Sequence, residues 1–147
     1  MSSIASNGQR DALTSIEITR VAAYQPDGCA TPRSFAVPGG KFTATLSSGE
    51  PIAFEVTLRL DGRGARERAI SLSGFEVEIY AYNRSTSAGK HLEAVDRGCV
   101  DATSRSFATR LPADRLPSGT YRLELSAALA DDATARSCVQ IPYLRIA

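Results

Sequence analysis

Tryptophan is absent, histidine occurs once, and the basic residues are arginine everywhere except Lys41 and Lys90. A single histidine, His91, leaves acid–base or nucleophilic catalysis with only one base that titrates near neutrality. The three cysteines, Cys29, Cys99 and Cys138, are odd in number and widely spaced. That argues against a disulfide framework and for a reducing compartment, although spacing alone leaves one bridged pair open. No segment approaches the roughly 20 apolar residues of a membrane span, so membrane insertion is not expected. The opening MSSIASNGQRDALTS has no apolar core behind a positive flank, so no secretory signal is expected and the expected location is cytoplasmic. A formal charge of +1 supplies no field to draw in nucleic acid or anionic lipid. The arginine and alanine bias reads as the codon habit of a GC-rich genome.

What is present fits one globular domain. At 147 residues with 43% hydrophobic and 22% charged side chains, the chain is an ordinary globular mixture. A domain near this size buries roughly 68 to 70% of the surface its unfolded chain exposes and needs no staple. Residues 1–13 are small and polar and read as a loose arm, leaving 14–147 as the domain.

Period-2 alternation dominates the rest. Ile52, Phe54, Val56, Leu58 and Leu60 share a face against Glu55, Thr57 and Arg59, which describes a core strand. Phe75, Val77, Ile79 and Ala81 oppose Glu76, Glu78, Tyr80 and Tyr82, and Tyr121, Leu123, Leu125, Ala127 and Leu129 oppose Arg122, Glu124 and Ser126. Ile16 and Ile18 are out of phase with Val21 and Ala23, which predicts a bulge. Val139 and Ile141 are out of phase with Leu144 and Ile146, and Pro142 between them predicts an edge or a bulge because it has no N–H to give a ladder. Further short strands are expected at 41–46, 69–72, 92–95 and around Phe107 and Leu111. Residues 25–40 read as an irregular excursion, 61–73 as a crossing, and 83–90 and 96–104 as turn and loop.

Roughly seven to nine short strands with no helical period predict an all-β, antiparallel sandwich, with a small barrel as the alternative packing. In LPSGTYRLEL, Gly119 and Tyr121 resemble the tyrosine corner of immunoglobulin-like sandwiches, in which a phenol reaches back to the main chain upstream. With no tryptophan, and with Leu123 where the disulfide cysteine of such domains would stand, the core must be aliphatic.

No reactive constellation accompanies this frame. Ser87, His91 and Asp96 can be spelled as a triad, but no nucleophile elbow or oxyanion segment goes with them, and His91 reads as a solvated loop residue. The cysteines and His91 lack the close pair spacing of zinc sites, so no metal or other cofactor is expected. Asp131 and Asp132 read as hairpin residues, and Asn83, Arg84, Ser85 forms a glycosylation acceptor of consequence only in a secretory compartment. The outward row of Tyr80 and Tyr82, with Asn83 and Arg84 at its end, is the candidate ligand surface. Flat amphipathic rings beside planar amide and guanidinium groups suit a sugar or a partner loop.

In order, the SGE turn at Ser48 to Glu50, the strand from Gly74 to Ile79, and LPSGTYRL from Leu116 to Leu123 resemble the carbohydrate-binding C-terminal domain of ATPase subunits in bacterial O-antigen polysaccharide ABC transporters. The chain departs from that family in carrying no ATPase domain and in its excursion at 25–40. The resemblance implies a glycan laid along an exposed sheet face, often in a dimer. The expected function is therefore a non-catalytic binding module for a polysaccharide or a protein partner. The competing expectation is an assembly subunit pairing through edge strands at 41–46 and 139–146, as in a homodimer.

Overall fold

The computed structural model describes residues 14–25, 34–69 and 74–147. The arm at 1–13, residues 26–33 of the 25–40 excursion with Cys29 among them, and residues 70–72 of one expected strand lie outside them. Two five-stranded sheets pack face to face. In chain order the elements are β1 (Ser15–Tyr24), β2 (Ser34–Ala36), β3 (Thr45–Leu46), β4 (Ile52–Asp61), α1 (Ala65–Ala69), β5 (Phe75–Asn83), β6 (Gly89–Leu92), β7 (Val95–Asp101), β8 (Ser104–Leu111), β9 (Gly119–Leu129) and β10 (Asp132–Ile146). The first sheet runs β2-β1-β4-β8-β7 and the second β3-β10-β9-β5-β6. The described residues hold ten strands, beside the roughly seven to nine expected, and two of them, β2 and β3, are only three and two residues long.

The alternating residues meet where the sheets face each other. Phe54, Val56, Leu58 and Leu60 of β4 and Ile79, Leu123, Ala127, Ile141 and Leu144 of the second sheet are all buried, so the core is aliphatic. Both phase changes have the expected cause. In β1 the register to β4 skips between Ile18 and Arg20, so Ile16, Ile18, Val21 and Ala23 all point inward. Thr19, the extra residue, donates its hydroxyl to Thr57 O at 3.2 Å. In β10 the register to β9 skips between Ile141 and Leu144, which leaves Pro142 in a bulge where a ladder N–H is not required.

The corner also forms. Tyr121 Oη donates to Pro117 O at 2.6 Å, tying the start of β9 to the turn before it. Gly119 is held for space: a β-carbon there would stand 3.0 Å from Asn83 Nδ2.

Several local expectations are corrected. Of the two expected edges, 41–46 does lie at one, since β3 is the outermost strand of its sheet, whereas 139–146 is covered: β3 pairs parallel to Arg145 and Ile146. Gly39 N–H and Phe42 N–H also bond to Gln140 O and Tyr143 O at 3.0 and 3.1 Å. This strip is pinned from behind by the buried Gln25, whose amide donates to Ser47 O and accepts from Ser47 N–H. Ala69 closes the short helix α1 instead of opening a strand. The strand expected at 92–95 resolves into two: β6 ends at Leu92 and β7 begins at Val95 in the opposite sheet, and 96–104 is largely β7 rather than loop. Val95 and Val100 are exposed and the pairing to β8 is bulged twice, so β7 lacks the one-sided alternation that marks a half-buried strand. No helix among the described residues is long and apolar enough to cross a membrane.

Candidate functional site

The outer face of the second sheet gathers side chains from four strands, and the register states which. Tyr80 of β5 stands between His91 of β6 and Glu124 of β9, and Glu124 stands opposite Gln140 of β10. One residue pair along, Tyr82 lies between Gly89 and Arg122, and on the other side Ser126 links Glu78 to Cys138. The alternation that sends Phe75, Val77, Ile79 and Ala81 toward the core therefore sends both tyrosines outward.

The rings of Tyr80 and Tyr82 are 6.2 Å apart between centroids and inclined by only 24°, forming a nearly continuous flat surface. Neither ring stands alone. His91 packs on Tyr80 at 4.9 Å, and the Arg122 guanidinium lies 4.8 Å over Tyr82. Arg122 in turn approaches Glu124 Oε1 at 3.6 Å, and Gln140 Nε2 donates to the same oxygen at 3.2 Å. Arg122 Nε is buried with no hydrogen-bond partner among the described residues, so stacking on Tyr82 sets this guanidinium's orientation more than saturation of its donors does. The negative Glu78 carboxylate beside Tyr80, followed by desolvation, raises the Tyr80 phenol above its ordinary value. Tyr80 is thus a protonated donor at physiological pH. Beside the rings runs an open groove of about 540 Å³, lined by Tyr80, Tyr82, Glu124, Ser126, Cys138 and Gln140 among others.

Asn83 and Arg84, expected at the end of this row, bond within the sheet, Asn83 in the β5–β6 hairpin and Arg84 to β9 and β10. Asn83 Oδ1 accepts from Ser85 N–H and Thr86 N–H at 2.9 and 3.2 Å, and Arg84 N–H donates to Thr120 O at 2.8 Å while its guanidinium reaches Pro142 O. Their places are taken by Arg122, Glu124 and Gln140. These lie on the outward phase of β9 and β10, but only the long-range register brings them beside the tyrosines. The signal for Arg122 and Glu124 was the polar face of LPSGTYRLEL; nothing local marked Gln140 or Cys138.

The other candidates separate in space. His91 is on strand β6, not in a loop. Asp96 is on the opposite sheet, where Arg105 Nη2 holds it at 2.7 Å, and Ser87 sits in the hairpin turn, so the three do not assemble. Asp132 Oδ1 accepts from Thr134 N–H and Oγ1–H in the β9–β10 hairpin. Cys99 and Cys138 are exposed on different sheets. Among the described residues no cluster of His, Cys, Asp or Glu is placed to hold a metal ion.

Two packed sheets, linked by connections that cross repeatedly from one to the other and closed by the Tyr121 corner, define an immunoglobulin-like β-sandwich carrying a groove on one outer face. No family model and no curated protein matches the chain. Among solved structures it is similar to a family 123 glycoside hydrolase from Clostridium perfringens, at 4% identity and a TM-score of 0.41, covering 69% of this chain and 22% of that one. It is similar to the Salmonella SafD adhesin at 11% identity and a TM-score of 0.36, covering 89% and 96%. It is also similar to MyfA, the major subunit of Myf fimbriae from Yersinia enterocolitica, solved in complex with galactose, at 10% identity and a TM-score of 0.34, covering 90% and 98%. The first of these shows that the chain spans about a fifth of that enzyme's length. None of these matches lends support to the transporter-ATPase resemblance, and at such scores no ligand or role follows from them.

Proposed function

We propose that the protein is a non-catalytic binding module that takes a glycan along the outer face of β5, β9 and β10. The observation that carries this reading is the paired, nearly parallel Tyr80 and Tyr82 rings bordering a groove. A pyranose has an apolar C–H face and a rim of hydroxyls. The two rings offer flat apolar surface to the first, and Glu124, Gln140, Ser126 and the Tyr80 hydroxyl offer acceptors and donors to the second. The site is open at the surface, which suits a segment of a longer chain. Edge-strand assembly has less support, because 139–146 is covered by residues 39–46 and the outer strand there, β3, is only two residues long.

The test is a glycan array with wild type and a Tyr80→Ala, Tyr82→Ala double variant, beside circular dichroism and solution mass. The reading expects wild-type binding that the double variant loses with its fold intact. Wild-type protein that captures no glycan, or a double variant that binds equally well, overturns it.

A further inference from the structure

β5 is nine residues long, whereas its outer neighbour β6 is four. Pairing covers Ile79 to Tyr82 and stops there. Asn83 donates its N–H to Ala88 O and accepts from Ser87 N–H, so its main-chain groups point to the β6 side. Alternation along an antiparallel ladder then sends the N–H and C=O of Ala81, Ile79, Val77 and Phe75 to the same side. Ala81 and Ile79 meet β6. Val77 and Phe75 meet no strand there among the described residues.

Beside this bare edge, at the crossover from β6 to β7, lies a groove of about 550 Å³. Its apolar side is Phe75, Val77, Ala94 and Phe107, with the two phenyl rings edge to face at 5.7 Å. Its charged side is acidic. Asp96 is neutralised by the buried Arg105, but Glu76, Glu78 and Glu93 form no ion pair among the described residues.

We infer that this stretch of β5 accepts an extended cationic peptide segment that continues the sheet where β6 stops. The peptide's main chain bonds to Phe75 and Val77, its alternate apolar side chains enter the groove against Phe75 and Phe107, and its lysines or arginines face Glu76, Glu78 and Glu93. A second copy of this chain is the poorer occupant, because antiparallel pairing of two β5 edges brings the Glu76 and Glu78 carboxylates toward each other.

The probe is a capped peptide of four Lys-Val repeats, with a Glu-Val peptide as control, titrated into the full protein by fluorescence anisotropy. The Lys-Val peptide is expected to bind, the Glu-Val peptide not to bind, and affinity to fall severalfold as ionic strength rises from about 0.01 to 0.15 M, where the Debye length shrinks from about 30 to 8 Å. Val77→Pro removes an N–H that points away from β9, so it is expected to keep the sheet and lose at least tenfold in peptide affinity. Should that variant misfold, hydrogen exchange on wild type decides: the Val77 amide is expected to exchange fast when free and to be protected by peptide, while Tyr82→Ala leaves that protection unchanged and so separates this site from the glycan groove. No binding, equal binding of both peptides, a Val77 amide indifferent to peptide, or a dimer abolished by Val77→Pro would each overturn the inference.

Discussion

A β-carbon on Gly89 would stand 2.5 Å from Cε1 and 2.8 Å from Cδ1 of Tyr82, so the ring of Tyr82 lies against the main chain of its cross-strand partner. With Arg122 stacked on the same ring, the ring is held by two neighbouring strands. Gly89→Ala is expected to push the ring aside while changing stability by no more than about 1 kcal/mol, because the obstructing atoms belong to a side chain that can rotate. The check needs no ligand. The Gly89 α-protons of wild type are expected to show an aromatic ring-current shift that Tyr82→Leu abolishes, and their indifference to that change would contradict the packing.

The corner gives a sharper number. Tyr121 is buried and its hydroxyl is the donor to Pro117 O, so Tyr121→Phe keeps the ring and leaves that carbonyl without this partner. A loss of roughly 1 to 3 kcal/mol in urea unfolding is expected. A midpoint and slope equal to wild type would show that the bond carries no net stability.

Both results bear on how far the sequence could be read. Strands β4 and β9 are legible because each buries one face, and the bulges at Thr19 and Pro142 are legible because each leaves a break in that alternation. Tyr121 is legible because a corner needs a turn and a phenol only a few residues apart. β7 was not, since its valines face water and its bulges erase the period. Arg105 was not, since a buried arginine on an inward phase looks like any strand arginine until Asp96 is brought beside it. Of the candidate surface, the two tyrosines follow from β5 alone, whereas Gln140 depends on register with a strand that the bulge at Pro142 has shifted. Asn83 and Arg84 follow the tyrosines in sequence, but polar residues at the end of a strand serve the frame as readily as a ligand, and here they bond to the hairpin and to β9 and β10.

The titration of Tyr80 tests the electrostatics of the groove. Its phenol is raised chiefly by the negative Glu78. A folded-state value above the unfolded one contributes stability that is complete below the unfolded phenol's titration and is lost as pH rises through the folded value. The tyrosinate absorbance that disappears in Tyr80→Phe is expected to emerge later in an alkaline titration than that of a free phenol. In Glu78→Gln it is expected earlier than in wild type. An unchanged midpoint in Glu78→Gln would remove Glu78 as the cause.

Arg105 and Asp96 make the last test, through an asymmetry. Arg105 is 3% exposed, and its Nε and Nη2 engage Asp96 at 2.9 and 2.7 Å while its guanidinium lies 5.6 Å from the Phe75 ring. Asp96 retains 29% exposure. Asp96→Ala takes away the carboxylate that both Nε and Nη2 of a buried guanidinium engage, and about 3 kcal/mol of destabilisation is expected, the low end for breaking a buried pair. Arg105→Met leaves a carboxylate that already touches water and fills the vacated space with an apolar chain, so its cost is expected to be smaller. Urea unfolding of the two single variants gives the order directly. Should Arg105→Met prove the more damaging, the guanidinium would be holding the β7 side of the sandwich by its packing on Phe75 and not by its charge.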